Sequence, residues 1–502
     1  MKLSTLLEGL EYDFVAGGTS AGGTAAADAG AIEVTAVVND TRKVVPGCLF
    51  ICITGARFDA HEKAGEAAGK GARVIVTEKA VTLPADTEAV ELRVKDTRYA
   101  MALISAAWFD YPAKKLKTVG ITGTKGKTTT TWLIRDMLTR AGRKCGLIGT
   151  IEYIIGEEHI HATNTTPESY DLQEMLARMV GAGCDSVVME VSSQALMLHR
   201  TAGIQFDIGI FTNLEADHIG EHEHKDFADY MHCKSLLFTQ CDLGIVNMDD
   251  AHCEGVTKGH TCKLLTYGFS EQADLRVVNL AYIRKPGALG AFFDTEGELR
   301  LHAEICNPGK FSVYNALSAI AVAHALGCEE EAIRAALKEA KVKGRIEMIP
   351  VSEKYTLMID YAHNAMALKS LLTTLRDYRP GRLVCLFGCG GNRARDRRFE
   401  MGEVSGRYAD LTIITSDNPR DEDPQAIIDD IKTGMAKTDG EYIEIIDRRE
   451  AIRYVMAHAE DGDIIVLAGK GHEDYQEING VKYPMDERDI VREIAEELRN
   501  AQ

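Results

Sequence analysis

The chain has 502 residues, 45% hydrophobic and 26% charged, which predicts roughly two to four domains with sizeable cores. Its formal net charge of −19 argues against a general binder of nucleic acid or of anionic membranes, while leaving room for local basic phosphate sites. No run approaches about 18 apolar residues, and the N-terminus MKLSTLLEGL lacks an apolar core, so neither a transmembrane helix nor a signal peptide is predicted.

The first predicted domain covers residues 1–112. Its runs GCLFICITG and ARVIVTE predict short strands, and the Ala-rich segment between them predicts a helix. The run AGGTSAGGTAAADAGA predicts a flexible loop because it is rich in Ala and Gly. We therefore expect a small α/β domain at this end of the chain.

A glycine-rich loop opens the second predicted domain, residues 113–342. The apolar run from Leu116 to Ile121 predicts a buried strand, and apolar residues at helical spacing predict a helix from Thr128 onward. The loop between them lies at a helix N-terminus, where unpaired N–H groups and the helix dipole bind anions. Its glycines allow close approach of a phosphate, Lys127 can reach the β- and γ-phosphates, and the Thr128 hydroxyl can bind Mg²⁺.

Polar residues follow further strands of the second domain. Glu190 ends the run SVVME. Asn213 stands near the end of the run IGIFTNL, and Asp217 and His218 follow it. Lys234 lies in YMHCKSLLF, which reads as a helix. Oxygen-rich donors beside a phosphate loop favour Mg²⁺, and no cysteine or His-x₃-His pattern supports a closed zinc site.

The third predicted domain covers residues 343–502. Its runs TLMIDYAH, RLVCLFGCGG, LTIITSDNPR and DIIVLAGKGHE are apolar and end in Gly- or Asp-bearing loops, with helical patterns between them. Apolar strands that alternate with helices predict parallel sheets, with ligands at the carboxyl ends of the strands. The predicted fold class is α/β, with a central sheet of the phosphate-loop ATPase type and a Rossmann-like C-terminal domain.

Short motifs occur in one order along almost the whole chain: MEVSSQAL, FTNLEADH, YMHCKSLLF, GKFSVYNALSA, GRIE, DYAH, FGCGGNR, DNPR and GKGHEDYQ. The loop GITGTKGKT has Ile121 where a strict phosphate loop has Gly. Together these motifs resemble the Mur ligase family, which uses ATP to form amide bonds, and within it the members that add the third residue of the peptidoglycan peptide. The resemblance implies one domain each for a UDP group, for ATP and for the incoming amino acid.

The resemblance also implies the residues that hold the UDP-N-acetylmuramoyl-L-Ala-D-Glu substrate. The motifs NDTR and RFDAH, with Asp40, Asp59 and His61, match the UDP domain of the family. The implied substrate contacts are Thr41, Arg42, Asn164, Thr165, Thr166, Ser192, Gln194 and Arg200.

The implied ATP contacts are Gly123, Thr124, Lys125, Gly126, Lys127, Thr128, Thr129, Asn315, Arg345, Asp360 and His363. The implied catalytic residues are Lys127, Lys234, His218 and Glu190, and the implied magnesium ligands are Thr128, Glu190, His218 and Lys234. Lys234 matches the lysine that this family carbamoylates with CO₂. This makes chemical sense, because an ammonium cannot bind Mg²⁺ whereas a carbamate is an anionic oxygen ligand. Ser312 stands where many relatives have Asn, so no ATP role is assigned to it.

Arg420 in the DNPR motif is the residue that predicts the amino acid. The resemblance implies that it reads the distal carboxylate of meso-diaminopimelate, a group that L-lysine lacks, and an arginine fork suits bidentate capture of a carboxylate. In the lysine-adding members this arginine is replaced. The implied amino-acid contacts are Arg393, Asp417, Asn418, Arg420, Gly469 and Glu473. A purely structural alternative pairs Arg420 with Asp421 or Glu422.

The predicted function is ATP-dependent joining of meso-diaminopimelate to the D-Glu γ-carboxylate of UDP-N-acetylmuramoyl-L-Ala-D-Glu through an acyl phosphate. We expect ATP, Mg²⁺ and CO₂ as cofactors, and a monomer without nucleic-acid or membrane partners. The 12 cysteines are scattered without a C-x-x-C pair, which is typical of a cytoplasmic protein.

Three alternatives remain open. The same ligase could add L-lysine. A folylpolyglutamate synthase is disfavoured because about 115 residues precede the phosphate loop. A nucleotide-gated binding or motor protein would leave the DNPR and GKGHED loops without a role.

Overall fold

The structure is a computed structural model that describes residues 1–15, 29–55, 58–216, 219–220, 223–285 and 287–500. Most of the predicted flexible loop, together with Asp217 and His218, lies outside these residues. Internal contacts divide the chain into two compact units, Met1–Tyr267 and Gly268–Gln502. The division into three domains therefore stays a prediction. Within the described residues, no helix combines the length and the apolar character needed to cross a membrane.

The first unit begins with a small five-stranded sheet. Its strands are β1 (Tyr12–Val15), β2 (Val37–Val38), β3 (Leu49–Ile51), β4 (Val74–Thr77) and β5 (Val90–Val94), in the order β1-β5-β4-β3-β2. The helices of this part are α1 (Leu3–Leu6), α2 (Ala64–Gly69) and α3 (Thr97–Trp108). Only β1 is antiparallel to its neighbour. The α3 helix begins after Asp96, whose carboxylate accepts a hydrogen bond from the Tyr99 N–H at 2.8 Å and so caps the helix.

A second sheet of the first unit carries the phosphate loop. Its strands are β6 (Lys117–Thr122), β7 (Cys145–Ile148), β8 (Glu152–Ile155), β9 (Glu158–His161), β10 (Ser186–Glu190), β11 (Phe206–Phe211), β12 (Cys241–Asn247) and β13 (Lys263–Gly268), in the order β13-β12-β11-β6-β10-β7-β8-β9. Its helices are α4 (Lys127–Arg140), α5 (Ser169–Gly181), α6 (Ser193–Met197), α7 (Phe227–Ser235) and α8 (Cys253–Thr257). The strands are parallel except for β8 and β9. The parallel core explains why β6 is buried at all but its first residue.

The second unit begins with three antiparallel strands, β14 (Leu275–Lys285), β15 (Ala288–Gly297) and β16 (His302–Ile305), followed by α9 (Lys310–Ala325) and α10 (Glu330–Glu339). Its large sheet contains β17 (Glu347–Met348), β18 (Thr356–Asp360), β19 (Leu383–Phe387), β20 (Leu411–Ile414), β21 (Glu441–Glu444) and β22 (Ile464–Ala468), in the order β17-β18-β22-β19-β20-β21. The hairpin β23 (Tyr475–Ile478) and β24 (Val481–Pro484) follows. The remaining helices are α11 (Ala365–Arg376), α12 (Asp396–Tyr408), α13 (Pro424–Met435), α14 (Arg448–Ala457) and α15 (Glu487–Asn500).

Both faces of the large sheet in the second unit are covered by helices. Residues that alternate along β19 belong to different cores: Phe387 packs with α11 and α13 residues such as Leu372 and Ile428, whereas Leu386 packs with α14 and α15 residues. This is the burial expected of a parallel sheet between two helical layers. The predicted α/β class is confirmed. The antiparallel strands at the sheet edges and the long β14–β15 pair were not predicted.

Candidate active site

The phosphate loop connects β6 to α4 in the first unit. Gly123 and Gly126 have positive φ angles of +146° and +87°, which glycine adopts without strain. A side chain on Gly123 would collide with the Thr212 hydroxyl that follows β11. The Asn213 side chain clamps the same loop, since its Oδ1 accepts from Lys125 N at 2.9 Å and its Nδ2 donates to Lys125 O at 3.0 Å. Asn213 therefore shapes the anion-binding loop.

Two predicted catalytic lysines meet at one carbonyl oxygen of this loop. The Lys127 ammonium donates to Gly123 O at 2.8 Å and to Thr124 O at 3.1 Å. The Lys234 ammonium, on α7, donates to the same Gly123 O at 3.0 Å and lies 4.4 Å from the centre of the Tyr230 ring. Lys234 is only 1% exposed. Two ammonium groups thus converge on this carbonyl oxygen in the structure, and the charge of Lys127 suits the binding of a polyanion.

Glu190 lies at the carboxyl end of β10, paired in register with Ile121 of the neighbouring β6. It is 1% exposed, and its two carboxylate oxygens accept from Thr150 N at 2.8 Å and from Thr150 Oγ1 at 3.1 Å. Within the described residues, no cationic side chain pairs with it. A buried carboxylate with neutral partners fits a cation site such as Mg²⁺. Thr150 was not singled out from the sequence, because only the fold brings it to Glu190.

The predicted magnesium set is only partly described. Thr128 is buried in the first turn of α4, and Glu190 lies at the end of the adjacent strand. Lys234 approaches the loop as an ammonium, which repels Mg²⁺, so it fits the set only as a carbamate. His218 lies outside the described residues.

Four of the predicted muramoyl-dipeptide residues, Thr165, Thr166, Ser192 and Arg200, form a hydrogen-bonded network with Thr150 and Glu190. The Thr150 and Thr165 hydroxyls are 3.1 Å apart, the Thr166 hydroxyl donates to Glu190 O at 2.9 Å, and Ser192 N donates to the Thr166 hydroxyl at 3.1 Å. Arg200 bonds to the network, whereas Asn164 bonds to Tyr153 outside it. Arg200 Nη1 donates to Thr166 O at 2.9 Å, and Asn164 O accepts from the Tyr153 hydroxyl at 2.6 Å. Gln194 is exposed on α6 and makes no side-chain hydrogen bond to the described members of this network.

The predicted UDP residues of the first unit lie in two turns. The Arg42 side chain is 87% exposed and donates to Asp40 from Nε at 3.0 Å to each carboxylate oxygen and from Nη2 at 2.7 Å. Thr41 O accepts from the Lys70 ammonium at 3.1 Å. His61 is buried, its Nδ1 lies 2.6 Å from the Asp59 carboxylate, and its Nε2 accepts from a backbone N–H. Both nitrogens of His61 are thus engaged within the domain, whereas Arg42 faces solvent.

The predicted ATP residues of the second unit gather around Tyr361, after β18. The Arg345 guanidinium lies 4.6 Å from the centre of the Tyr361 ring, and the His363 ring lies 4.6 Å from it. The Asp360 carboxylate accepts from Ile346 N at 2.8 Å; burial raises the pKa of this carboxyl, and the charge of Arg345 opposes the rise. Asn315 is buried in α9 and makes no hydrogen bond to these groups within the described residues.

The predicted amino-acid residues converge in the second unit, where loops follow β20 and β22. Asn418 Nδ2 donates to Glu473 Oε2 at 2.8 Å. Gly469 has a φ of +108°, and a Cβ added to it would lie 2.8 Å from Asp417 Oδ2. The buried ammonium of Lys470 bonds to Asn418 Oδ1 and to Glu473 Oε2. Lys470 stands in the GKGHEDYQ motif but was not among the predicted site residues. The structure therefore brings Asp417, Asn418, Gly469 and Glu473 together.

Arg420 lies at the margin of this cluster. Its Nε donates to Glu477 Oε2 at 3.2 Å, and its Nη1 donates to Gly391 O. The structural alternative is wrong: Glu422 pairs with Arg398 at 2.8 Å, and Asp421 accepts from the Asn392 side chain at 2.7 Å. Arg393 is exposed in the same loop as Gly391. Arg420 also has a positive φ of +52°, which for a residue with a side chain is a backbone cost typical of functional sites.

Comparison with known proteins gives matches along most of the chain. The model of the Mur ligase middle domain matches residues 121–323, and that of the Mur ligase glutamate ligase domain matches residues 344–471. A curated protein of Caldanaerobacter subterraneus subsp. tengcongensis, named UDP-N-acetylmuramoyl-L-alanyl-D-glutamate–2,6-diaminopimelate ligase, is 41% identical over 473 residues, covering 93% of this chain and 95% of its own.

Two further matches cover similar lengths. A ligase of the same name from Clostridium acetobutylicum, numbered 1, is 41% identical over 503 residues, covering 99% of this chain and 100% of its own. A solved structure of a ligase of that name has a TM-score of 0.70 and 30% identity, covering 93% of this chain and 95% of that chain.

Proposed function

The chain belongs to the Mur ligase family, and from this premise we propose that it uses ATP to join meso-2,6-diaminopimelate to the D-Glu γ-carboxylate of UDP-N-acetylmuramoyl-L-Ala-D-Glu, a step in making the peptidoglycan precursor. The observation that carries the choice of amino acid is the cluster of Asp417, Asn418 and Glu473 with Arg420 at its margin. This set of charges complements an ammonium and a carboxylate on one carbon, which is the distal end of diaminopimelate.

The chemistry begins with a carboxylate that must be made electrophilic. The γ-carboxylate of the D-glutamyl residue attacks the γ-phosphate of ATP, and ADP leaves. Both reactants are anionic, so the Lys127 ammonium and the loop N–H groups must neutralise the charge that develops. The neutral amine of the amino acid then attacks the acyl phosphate, and the tetrahedral intermediate collapses to an amide and inorganic phosphate as the amine loses its proton.

Magnesium and CO₂ belong to the proposal. The residues that would hold the metal are Thr128, Glu190, His218 and a carbamate formed on Lys234. When bound there, Mg²⁺ would supply positive charge to the phosphate oxygens. The buried Glu190, which has only neutral hydrogen-bond donors around it in the described structure, supports this assignment.

The proposal also covers organisation and location. Residues 1–112 would bind the UDP group, residues 113–342 would bind ATP, and residues 343–502 would bind the amino acid. The 12 cysteines are free thiols, which supports a reducing, cytoplasmic environment. The protein is further proposed to be a monomer that binds neither nucleic acid nor membranes.

A substrate panel tests this function directly. ATP turnover should require both UDP-N-acetylmuramoyl-L-Ala-D-Glu and an amino acid, and amide formation should be faster with meso-diaminopimelate than with L-lysine. A higher kcat/KM for L-lysine would contradict the amino-acid assignment while leaving the ligase assignment intact. ATP turnover that is independent of the UDP-linked dipeptide would contradict both.

Replacing Arg420 with alanine should lower kcat/KM for meso-diaminopimelate by about 30-fold or more. Losing one partner of a desolvated charge pair costs roughly 2–5 kcal/mol, and each ~1.4 kcal/mol is tenfold in rate. The KM for ATP should change little. The measurement is steady-state kinetics with each substrate varied in turn.

The matched control for that substitution is Arg407→Ala. Arg407 is an arginine of the same unit that pairs with Glu403 on the surface of α12 at 2.8 Å. The Arg407→Ala substitution should leave the KM values for ATP, the UDP-linked dipeptide and the amino acid unchanged. An Arg420→Ala enzyme with wild-type kcat/KM for meso-diaminopimelate would show that this arginine does not read the distal carboxylate.

A further inference from the structure

A fully buried lysine lies beneath the proposed amino-acid site. The Lys470 side chain is 0% exposed, and its ammonium lies 3.1 Å from Asn418 Oδ1 and 3.1 Å from Glu473 Oε2. Asp417 Oδ1 is 3.8 Å away. A buried ammonium is costly unless it is paired and hydrogen-bonded, and these three groups supply that compensation. Each of them is also a proposed contact of the amino acid.

The ammonium determines which way the Asn418 amide faces. A lysine ammonium can only donate hydrogen bonds, so the amide atom that faces it must be the oxygen. Asn418 Oδ1 also accepts from Glu477 N at 2.9 Å, which reinforces the same orientation. Nδ2 consequently points to Glu473 Oε2 at 2.8 Å. One N–H of Asn418 and the second oxygen of Glu473 have no partner within the described residues, and both belong to the cluster assigned to the ligand.

The same ammonium also balances charge. Asp417 and Glu473 both carry carboxylates into the cluster, and Lys470 is bonded or close to each of them. Its positive charge attracts both carboxylates and holds them in place. Without it, Glu473 and Asn418 lose a shared donor, and the two carboxylates lose the cation between them.

We propose that Lys470 is a positioning residue for the amino-acid substrate: it sets the Asn418 amide to donate to the distal carboxylate and the Glu473 carboxylate to accept from the distal ammonium. This inference rests on the proposed function of the Asp417–Asn418–Glu473 cluster. Lys470 acts through these residues and does not itself contact the substrate.

The test is the full-length Lys470→Met enzyme, which keeps most of the length of the unbranched side chain but removes the charge and the donors. The KM for the amino acid should rise at least about tenfold, a change of ~1.4 kcal/mol, because the two groups that read its distal end lose the donor they share and are held less firmly. The KM values for ATP and for the UDP-linked dipeptide should stay within about twofold of wild type. A loss of folded protein lowers the apparent kcat but leaves KM unchanged. A rise in the KM for the amino acid alone therefore separates positioning from destabilisation.

Lys437→Met is the matched control, since Lys437 is an exposed lysine of the same unit that pairs only weakly with Glu403 at 3.4 Å. If Lys470→Met fails to fold by circular dichroism, Lys470→Gln carries the test, because it keeps an NH₂ donor group without the charge. An unchanged KM for the amino acid in a folded variant, or an equal rise in all three KM values, would overturn the inference.

The failure of the proposed function has a different signature. If wild type rejects meso-diaminopimelate, the amino-acid assignment fails, and the Lys470 variants are then assayed with the amino acid that wild type does accept. If wild type uses meso-diaminopimelate and Lys470→Met does so with the same KM, only the Lys470 inference fails.

Discussion

Replacing Lys127 with alanine should lower ATP-dependent amide formation by about a thousandfold or more. The substitution removes the Lys127 ammonium from the phosphate loop, where charge develops on the transferring phosphoryl group. Losing such a contact typically costs ~4 kcal/mol of transition-state stabilisation, and each ~1.4 kcal/mol is tenfold in rate. The measurement is phosphate release with all three substrates present.

The control for Lys127→Ala is Lys258→Ala, at an exposed lysine of the same unit just after α8. Its activity should equal that of wild type. Because Lys127 also bonds to two loop carbonyls, the melting temperature of each variant should be measured beside its activity. Activity of Lys127→Ala within tenfold of wild type would contradict the role of this loop in phosphoryl transfer.

Replacing Lys234 with alanine should leave at most about one-hundredth of the activity, because the proposed carbamate supplies an anionic ligand to the metal. A carbamate would keep one N–H, so the hydrogen bond to Gly123 O could persist, and its oxygens would supply the anionic metal ligand. Short carboxylic acids added to the Lys234→Ala enzyme should restore part of the activity by supplying the missing oxygen ligand. The assay is amide formation over a range of acetate concentrations.

His232→Ala is the control for Lys234→Ala, since His232 lies two residues away on the same helix and is exposed. It should keep wild-type activity and show no response to acetate. An unmodified amine at Lys234 in the active magnesium complex, observed by mass or by electron density, would refute the carbamate.

The phosphate loop was predictable because its signals are local. An apolar run, a glycine pair and a helical repeat stand next to one another in sequence, and they form β6, the loop and α4. The motifs that resemble the Mur ligases were equally informative, and the family is confirmed. The strands whose carboxyl ends carry site residues were also predicted, because strands buried on both faces appear in the sequence as continuous apolar runs.

The contacts that orient the site residues were not predictable, because they join distant parts of the chain. Thr150 reaches Glu190 across 40 residues, and Arg420 finds Glu477 across 57 residues. Proximity in sequence favours Asp421 and Glu422 as partners for Arg420, but both acids bond elsewhere. The left-handed backbone at Arg420 is likewise invisible in a motif, since this conformation is uncommon for residues other than glycine.

The Gly123 carbonyl oxygen couples Lys127 to Lys234. This oxygen accepts one hydrogen bond from Lys127 and one from Lys234, although the two lysines stand on different helices. Removing either donor changes the hydrogen bonding and the field felt by the other. The two side chains therefore form one thermodynamic unit, and free energies measured for them singly are not additive. The loss of activity on replacing one lysine therefore includes the effect of that replacement on the other lysine.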